Sequence, residues 1–174
     1  MIFVTPLSRL SETLAASGAR RMISLQSIGA SFNRPLGIEP DAYLQLAMHD
    51  IAEEREGFVA PSREQVAAML TFAKQVSRDE PLLIHCYAGI SRSTAAAYVI
   101  AAALRPHLDE HALAQDLRRL APSATPNPRI VALADDLLGR DGRMVAAIRA
   151  IGRGAEAFEG TPFTLLGDWQ EARV

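Results

Sequence analysis

The chain has 174 residues, of which 49% are apolar and 22% are charged, and its formal net charge is −2. This length is typical of one domain, residues 1–174, with a sizeable hydrophobic core, and the composition excludes a disordered chain. A charge this close to neutral argues against a dominant nucleic-acid-binding or anionic-membrane surface.

The first third of the chain alternates short apolar runs with loops. Residues 2–4 are predicted to form a short edge strand, and the apolar spacing of residues 7–14 predicts an amphipathic helix that ends at Gly18. Arg21–Gln26 and residues 43–48 are predicted strands. Segments without apolar periodicity are predicted to be long loops: residues 27–42 and 51–60.

The middle of the chain carries the clearest structural pattern. Ser62 followed by Gln65 is a capping-box pattern, which begins a predicted helix. Residues 81–85 (PLLIH) form a continuous apolar run that is typical of a buried central strand, and residues 86–92 are a predicted loop. The alanine-rich segment from Ser93 onward is apolar on all sides, which predicts a buried helix.

The later half of the chain is predicted to be helical. Asp109 and Asn127 are in position to cap helices that reach Leu120 and Leu138, and residues 141–151 form another predicted helix. Strands that alternate with helices indicate an α/β fold. We therefore expect a mainly parallel central sheet of four to five strands, flanked by helices, with a helical C-terminal half.

The C-terminal tail and the ends of the chain give weaker information. Residues 152–174 receive no assigned structure, although packing of Phe163 and Trp169 within the monomer is favoured over a contact with a second subunit. The N-terminal segment lacks the basic and long apolar regions of a signal peptide. The longest apolar run is far shorter than the roughly 20 residues that span a bilayer. Cys86 is the only cysteine, which excludes an intrachain disulfide. A cytoplasmic protein without membrane or nucleic-acid partners is expected.

The segment between the buried strand and the buried helix carries the chemically informative residues. It reads HCYAGISRS over residues 85–93. A loop at the carboxyl end of a strand that enters a helix N-terminus directs several backbone N–H groups at one anion. Gly89 permits the turn, and the guanidinium of Arg92 matches two oxygens of a phosphate. This positive field favours the thiolate of Cys86, a nucleophile placed against a bound phosphorus atom.

HCYAGISRS resembles the His-Cys-x-x-Gly-x-x-Arg-Ser/Thr signature of the protein tyrosine phosphatase superfamily. Its Gly-x-Ser-Arg-Ser ending is most similar to the dual-specificity and related small bacterial phosphatases. The resemblance covers roughly residues 43–138 in detail. It implies hydrolysis of a phosphomonoester through a cysteinyl-phosphate, without a metal or another cofactor.

The resemblance also implies a role for each residue of this segment. Cys86 is the expected nucleophile, and Ser93 is expected to donate a hydrogen bond to the sulfur, which makes it a better leaving group in the second step. His85 is expected to tune the thiolate, and a purely structural role for it stays open. Arg92 and the backbone N–H groups of the loop are expected to hold the phosphate. The residues that would bind substrate in this way are Tyr87, Ala88, Gly89, Ile90, Ser91 and Arg92.

The resembled family takes its general acid from an aspartate on a mobile loop after an earlier strand. Asp50 follows the predicted strand at residues 43–48 and precedes a loop that could close over the phosphate, so it is the expected acid. Glu53, Glu54 and Glu56 lie on the same loop and are rivals. A solvated run of charge is the more ordinary interpretation of these three glutamates.

Two histidines and one asparagine are secondary candidates. Thr125-Pro126-Asn127-Pro128 is similar to a Pro-Asn step with which related phosphatases support the catalytic loop. Asn127 is therefore a candidate supporting residue, and an ordinary helix cap is compatible with that role. His107 and His111 are four residues apart, but a metal site is not expected there.

The loop composition also narrows the substrate class. Residues 87–91 include no lysine or arginine, which phosphoinositide phosphatases similar to this family use to bind additional phosphates. A phosphotyrosine or a mixed phosphotyrosine and phosphoserine/phosphothreonine protein substrate is therefore favoured, and a small phosphomonoester stays open. Phe32, Arg34 and Phe58 are candidate residues for the rim of a shallow pocket.

Two other classes of function share parts of this pattern. A rhodanese-like sulfurtransferase also places a single cysteine on an anion-binding loop, but it needs no general acid such as Asp50. A catalytically silent phosphoprotein-binding module could use the same fold, but such modules usually lose the cysteine or the arginine. Cys86 and Arg92 are both present here, so the sequence favours the phosphatase.

Overall fold

A five-stranded sheet lies at the centre of the computed structural model, which describes residues 1–77 and 80–167. The spatial order of the strands is β3-β2-β4-β1-β5. The first four strands are parallel, and the fifth is antiparallel to its neighbour β1. The strands are β1 (Ile2–Pro6), β2 (Arg21–Gln26), β3 (Tyr43–Ala47), β4 (Leu82–Cys86) and β5 (Phe163–Leu165).

Six α-helices in the described ranges pack around this sheet. The first packs on one face of the sheet together with the loop at residues 27–42, and the other helices form the larger hydrophobic core on the opposite face. The predicted α/β fold with a helical C-terminal half is therefore confirmed. The helices are α1 (Leu10–Ser17), α2 (Arg63–Lys74), α3 (Arg92–Leu104), α4 (Glu110–Leu120), α5 (Pro128–Leu137) and α6 (Arg143–Ile151).

Three of these helices begin at the caps that the sequence indicated. Ser62 and Gln65 form both hydrogen bonds of a capping box at the start of α2. The Asp109 side chain accepts a hydrogen bond from the Ala112 N–H at the start of α4. Asn127 caps α5. These side chains satisfy backbone N–H groups that would otherwise lack a partner in the first turn.

The central strand β4 positions the functional segment. All five of its residues are buried, and it pairs with β2 on one side and with β1 on the other. Pro6 lies beside Cys86, and Ser24 lies beside His85. The carboxyl ends of three parallel strands therefore meet where α3 begins, and the prediction of a buried central strand is confirmed.

One prediction about the sheet is wrong. Residues 2–4 belong to an interior strand rather than an edge strand, because β5 pairs with the free side of β1 and makes β3 and β5 the edges. Phe163 in β5 is buried, whereas Trp169 lies outside the described residues. A three-residue strand is too short to show alternation, so β5 gave no recognisable signal. No helix in the described ranges is both long and apolar enough to cross a membrane.

Candidate active site

The Cys86 thiol lies at the end of β4, beneath the loop that leads into α3. We call residues 86–92 the phosphate-binding loop. Cys86 is 3% exposed. Its Sγ lies 3.1 Å from the hydroxyl oxygen of Ser93, and the Gly89 N–H donates a hydrogen bond to Sγ at 3.3 Å. These two groups can stabilise negative charge on the sulfur.

Gly89 makes the tight path of the phosphate-binding loop possible. Its φ is +69°, and a Cβ atom on it would lie 2.7 Å from the backbone nitrogen of Pro6. A side chain is therefore disfavoured both by the backbone conformation and by the close approach of β1. The loop and the end of β1 consequently pack with their backbones in contact.

Carbonyl groups of the phosphate-binding loop accept hydrogen bonds from residues outside the loop. The carbonyl of Tyr87 accepts a hydrogen bond from the N–H of Leu7 at 3.0 Å, and that of Ile90 accepts one from Thr125 at 2.9 Å. The N–H and C=O groups of one planar peptide point in opposite directions. Carbonyl groups held outward therefore leave N–H groups that face the interior of the loop, where they form a nest for an anion.

The Arg92 guanidinium is held in place before any anion is bound. Arg92 is 4% exposed, and its Nη1 donates hydrogen bonds to the carbonyl of Met48 at 2.8 Å and to the hydroxyl of Ser27 at 3.2 Å. Its Nε is buried and has no hydrogen-bond partner within the described residues. Nε lies 3.9 Å from Oδ2 of Asp50. The guanidinium therefore retains a donor for a phosphate oxygen.

Asp50, the expected general acid, lies against the phosphate-binding loop. Its Oδ1 accepts hydrogen bonds from the Ser91 hydroxyl at 2.7 Å and from Nδ2 of Asn127 at 2.8 Å. The Oδ1 atom of Asn127 accepts bonds from the Arg129 and Ile130 N–H groups and so caps α5. The cap and the supporting contact are thus made by one side chain. The Asp50 side chain is 36% exposed, which leaves the carboxyl accessible.

The rival glutamates lie away from the loop. Glu54 is 83% exposed and forms an ion pair with Arg129 at 3.0 Å. Glu53 and Glu56 are exposed, and neither hydrogen-bonds to the phosphate-binding loop in the part of the chain that the structure describes. The contacts to Ser91 and Asn127 therefore distinguish Asp50 from the three glutamates.

The suggested rim residues do not form one continuous surface. The Phe32 ring lies 5.0 Å from the ring of His85 and is half-buried, so it covers that histidine. Arg34 is exposed and donates to a backbone carbonyl of its own loop. Phe58 is 45% exposed on the Asp50 loop, where its ring contacts that of His49. Of the three, Phe58 is the one placed on the same loop as Asp50.

His85 is buried behind the thiol rather than facing the anion site. Its Nε2 lies 2.7 Å from the Ser24 hydroxyl oxygen, which also accepts a hydrogen bond from Nε2 of Gln26. Burial lowers the pKa of His85 to about 4, with a smaller opposing contribution from the Cys86 backbone and a further lowering by the Arg92 charge. The imidazole is therefore neutral at physiological pH.

This low pKa of His85 predicts a loss of stability in mild acid. Between about pH 6.5 and pH 4 the unfolded chain binds a proton that the folded protein excludes. The free energy of unfolding should therefore decrease as the pH is lowered from about 6.5 to 4, by about 3 kcal/mol from His85 alone. Urea unfolding at a series of pH values measures the effect. His85→Gln should flatten the slope, whereas His107→Gln, at an exposed site, should not; equal slopes for His85→Gln and the wild type would contradict the assignment.

Several groups that complete the site gave no signal in the sequence. Met48, Leu7 and Thr125 contribute backbone atoms, and any residue type supplies these. Ser27 contributes a hydroxyl from a loop whose path the sequence does not define. The missed groups are therefore backbone atoms and one side-chain hydroxyl on an irregular loop, neither of which belongs to a local motif.

Comparison with known proteins gives a consistent family and fold. A family model described as "Polymorphic toxin system, DSP-PTPase phosphatase" matches residues 4–107. The solved structure of DUSP15 is 17% identical, with a TM-score of 0.62 over 86% of this chain and 90% of that one. The Cydia pomonella PTP-2 phosphatase is 18% identical, with a TM-score of 0.60 over 78% and 84% of the two chains.

Human DUSP28 is similar to a comparable extent, at 20% identity and a TM-score of 0.58 over 80% of this chain and 88% of its own. At such identities the structural likeness establishes the fold alone. No curated protein sequence matches the chain. The family model covers more than half of the chain, from the middle of β1 to beyond the end of α3. The chain therefore belongs to the polymorphic toxin system family of DSP-PTPase phosphatases.

Proposed function

We propose that the protein hydrolyses phosphotyrosine, together with phosphoserine and phosphothreonine, on protein substrates through a cysteinyl-phosphate intermediate. The observation that carries this proposal is the position of Asp50, which hydrogen-bonds to Ser91 of the loop and lies 3.9 Å from Arg92. A carboxyl group in this place can exchange protons with a phosphomonoester held above Cys86.

The first step transfers the phosphoryl group to sulfur. The Cys86 thiolate attacks phosphorus, a P–S bond forms, and the P–O bond to the leaving group breaks. The electron pair of the broken bond goes to the leaving oxygen, which takes the proton of the Asp50 carboxyl. The nest of N–H groups and the free Nε donor of Arg92 stabilise the charge on the equatorial oxygens as it redistributes.

The second step releases the phosphate with water. Asp50, now a carboxylate, accepts a proton from a water molecule that attacks phosphorus, and the P–S bond breaks. The electron pair returns to Cys86, whose Sγ lies 3.1 Å from the Ser93 hydroxyl. A hydrogen bond from this hydroxyl stabilises the departing thiolate, so Ser93 assists this step directly.

The side chains of the phosphate-binding loop are suited to a substrate with a single phosphate group. Tyr87, Ala88 and Ile90 carry no charge, and Arg92 is buried within the loop. A substrate with further phosphates would need additional cations, as lysine and arginine supply them elsewhere. The Tyr87 side chain is 66% exposed and can contact the group that bears the phosphate.

The geometry gives no specific support to the two alternatives. Sulfur transfer requires no proton donor, so the hydrogen bonds that fix Asp50 above the loop would have no purpose. A phosphoprotein-binding module requires no nucleophile, yet the Cys86 thiol lies within reach of two donors that stabilise its anion.

Turnover of phosphopeptides in the presence of a metal chelator tests the proposal. We expect release of phosphate from phosphotyrosine and phosphoserine peptides, and a phosphate adduct on the peptide that contains Cys86 after a rapid denaturing quench, detected by mass spectrometry. Transfer of sulfur from thiosulfate to cyanide without phosphatase activity would instead assign a sulfurtransferase. Phosphopeptide binding without turnover would assign a binding module.

A further inference from the structure

The segment between α6 and β5 contacts the phosphate-binding loop, although it lies beyond the residues that the family model matches. We call residues 152–160 the C-terminal strap. Its beginning is fixed by two hydrogen bonds: the Ala155 N–H donates to the Pro122 carbonyl at 2.9 Å, and the Gly154 N–H donates to Oγ1 of Thr125 at 3.1 Å. Near its other end the Glu159 carboxylate accepts a bond from the Ser8 hydroxyl at 2.7 Å. The strap is thus held at both ends.

The last residue of the strap contacts the peptide group that faces the reactive sulfur. The Gly160 N–H donates to the carbonyl of Ala88 at 2.8 Å. The N–H of the same peptide, which belongs to Gly89, donates to Sγ of Cys86 at 3.3 Å. Because the two ends of a planar peptide point in opposite directions, the bond from Gly160 directs this N–H at the sulfur.

At position 160 any residue other than glycine would force the neighbouring backbone to move. A Cβ atom there would lie 2.8 Å from the carbonyl oxygen of Gly89 and 3.6 Å from Cγ1 of Ile90. The close neighbour is backbone, so no flexible side chain can move away to relieve the contact. Strap and loop are therefore in direct backbone contact, and a displacement of one displaces the other.

We propose that Gly160 is a positioning residue of the phosphate-binding loop. It holds the Ala88–Gly89 peptide in the orientation that stabilises both the Cys86 thiolate and a bound oxyanion. This inference rests on the proposed function for its catalytic consequence, but the orientation of the peptide can be tested without turnover. Among the described residues, the charged or titratable side chains other than Cys86 that are placed at the loop and the strand before it are Arg92, Asp50, His85 and Tyr87, and Gly160 hydrogen-bonds to none of them.

A pair of glycine substitutions on the strap separates positioning from general stability. Gly160→Ala pushes on the loop itself, whereas Gly154→Ala places its Cβ 2.4 Å from the Ser123 carbonyl oxygen, in a segment that is bonded to the loop through Thr125. Neither glycine has a positive φ, so both variants introduce only a steric contact. Both are expected to lower the thermal midpoint. Gly160→Ala is expected to lower kcat/KM about tenfold and to weaken tungstate binding by a similar factor, and Gly154→Ala is expected to change both quantities much less. Equal effects of the two substitutions on these two quantities would overturn the proposal.

A measurement on the wild-type protein covers the case in which Gly160→Ala does not fold. The amide resonances of Gly160 and Gly154 can be followed by NMR as tungstate is added. The Gly160 resonance should shift, because one peptide group separates its hydrogen bond from the anion nest. The Gly154 resonance should shift less, because its hydrogen bond goes to Thr125 and reaches the loop only through that residue. An unchanged Gly160 resonance in a tungstate-saturated sample would overturn the proposal. If the wild type binds tungstate and shows the Gly160 shift but does not hydrolyse phosphopeptides, the proposed function fails and the positioning role stands.

Discussion

Cys86→Ser is expected to lower kcat for para-nitrophenyl phosphate by a factor on the order of 10⁵, because a serine hydroxyl is not ionised at neutral pH and the sequence contains no second cysteine. The serine is smaller than the cysteine by only the difference between oxygen and sulfur, so the loop and Arg92 should keep their positions. Steady-state hydrolysis without added metal measures the change.

The control for this variant is anion binding. Tungstate should bind Cys86→Ser within a few-fold of the wild-type affinity, since the nest and the Nε donor of Arg92 are unchanged. Residual hydrolysis above about one per cent of the wild-type rate in this variant would contradict the role of Cys86 as nucleophile.

Asp50→Asn is expected to have an effect that depends on the leaving group. With phenyl phosphate, whose leaving oxygen needs a proton, kcat should fall by about 10²- to 10⁴-fold. With para-nitrophenyl phosphate the loss should be much smaller, because that leaving group departs as an anion. Asparagine preserves the shape of the side chain, and its Oδ1 can still accept the bonds from Ser91 and Asn127. The ratio of the two rates therefore reports proton donation rather than structure.

Glu54→Gln is the matched control on the same loop. Glu54 is exposed and paired with Arg129, so replacing it by glutamine should leave the rates for phenyl phosphate and para-nitrophenyl phosphate close to those of the wild type. A leaving-group dependence in Glu54→Gln and its absence in Asp50→Asn would transfer the role of general acid to the glutamate.

The sequence predicted those parts of the fold and site that local patterns determine. The apolar run before Cys86 required a buried strand, and the alanine-rich segment after Arg92 required a buried helix, so the strand–loop–helix unit followed directly. The choice of Asp50 as the general acid rested on its position after a predicted strand, and it stays a prediction; the structure places its carboxylate in contact with Ser91 and Asn127. Local sequence patterns of this kind indicate candidate reactive side chains.

The remaining parts depend on contacts between distant residues. Pairing of β5 with β1 joins segments at opposite ends of the sequence, and this pairing changed β1 from a predicted edge strand to an interior one. The groups that orient the loop at Leu7, Met48 and Gly160 are backbone atoms. Backbone donors and acceptors are the same in every residue except proline. Composition and periodicity therefore do not indicate which backbone groups form these contacts.

The anchoring of Arg92 by Met48 and Ser27 has a consequence for the thermodynamics of the site. An arginine side chain loses up to about 2 kcal/mol of rotamer entropy when it is fixed in one conformation. Here that loss accompanies folding, because the guanidinium is immobilised by the protein itself, and it does not recur when an oxyanion arrives. The stability of the fold, rather than the affinity for the ligand, therefore bears the entropic cost of a rigid anion site.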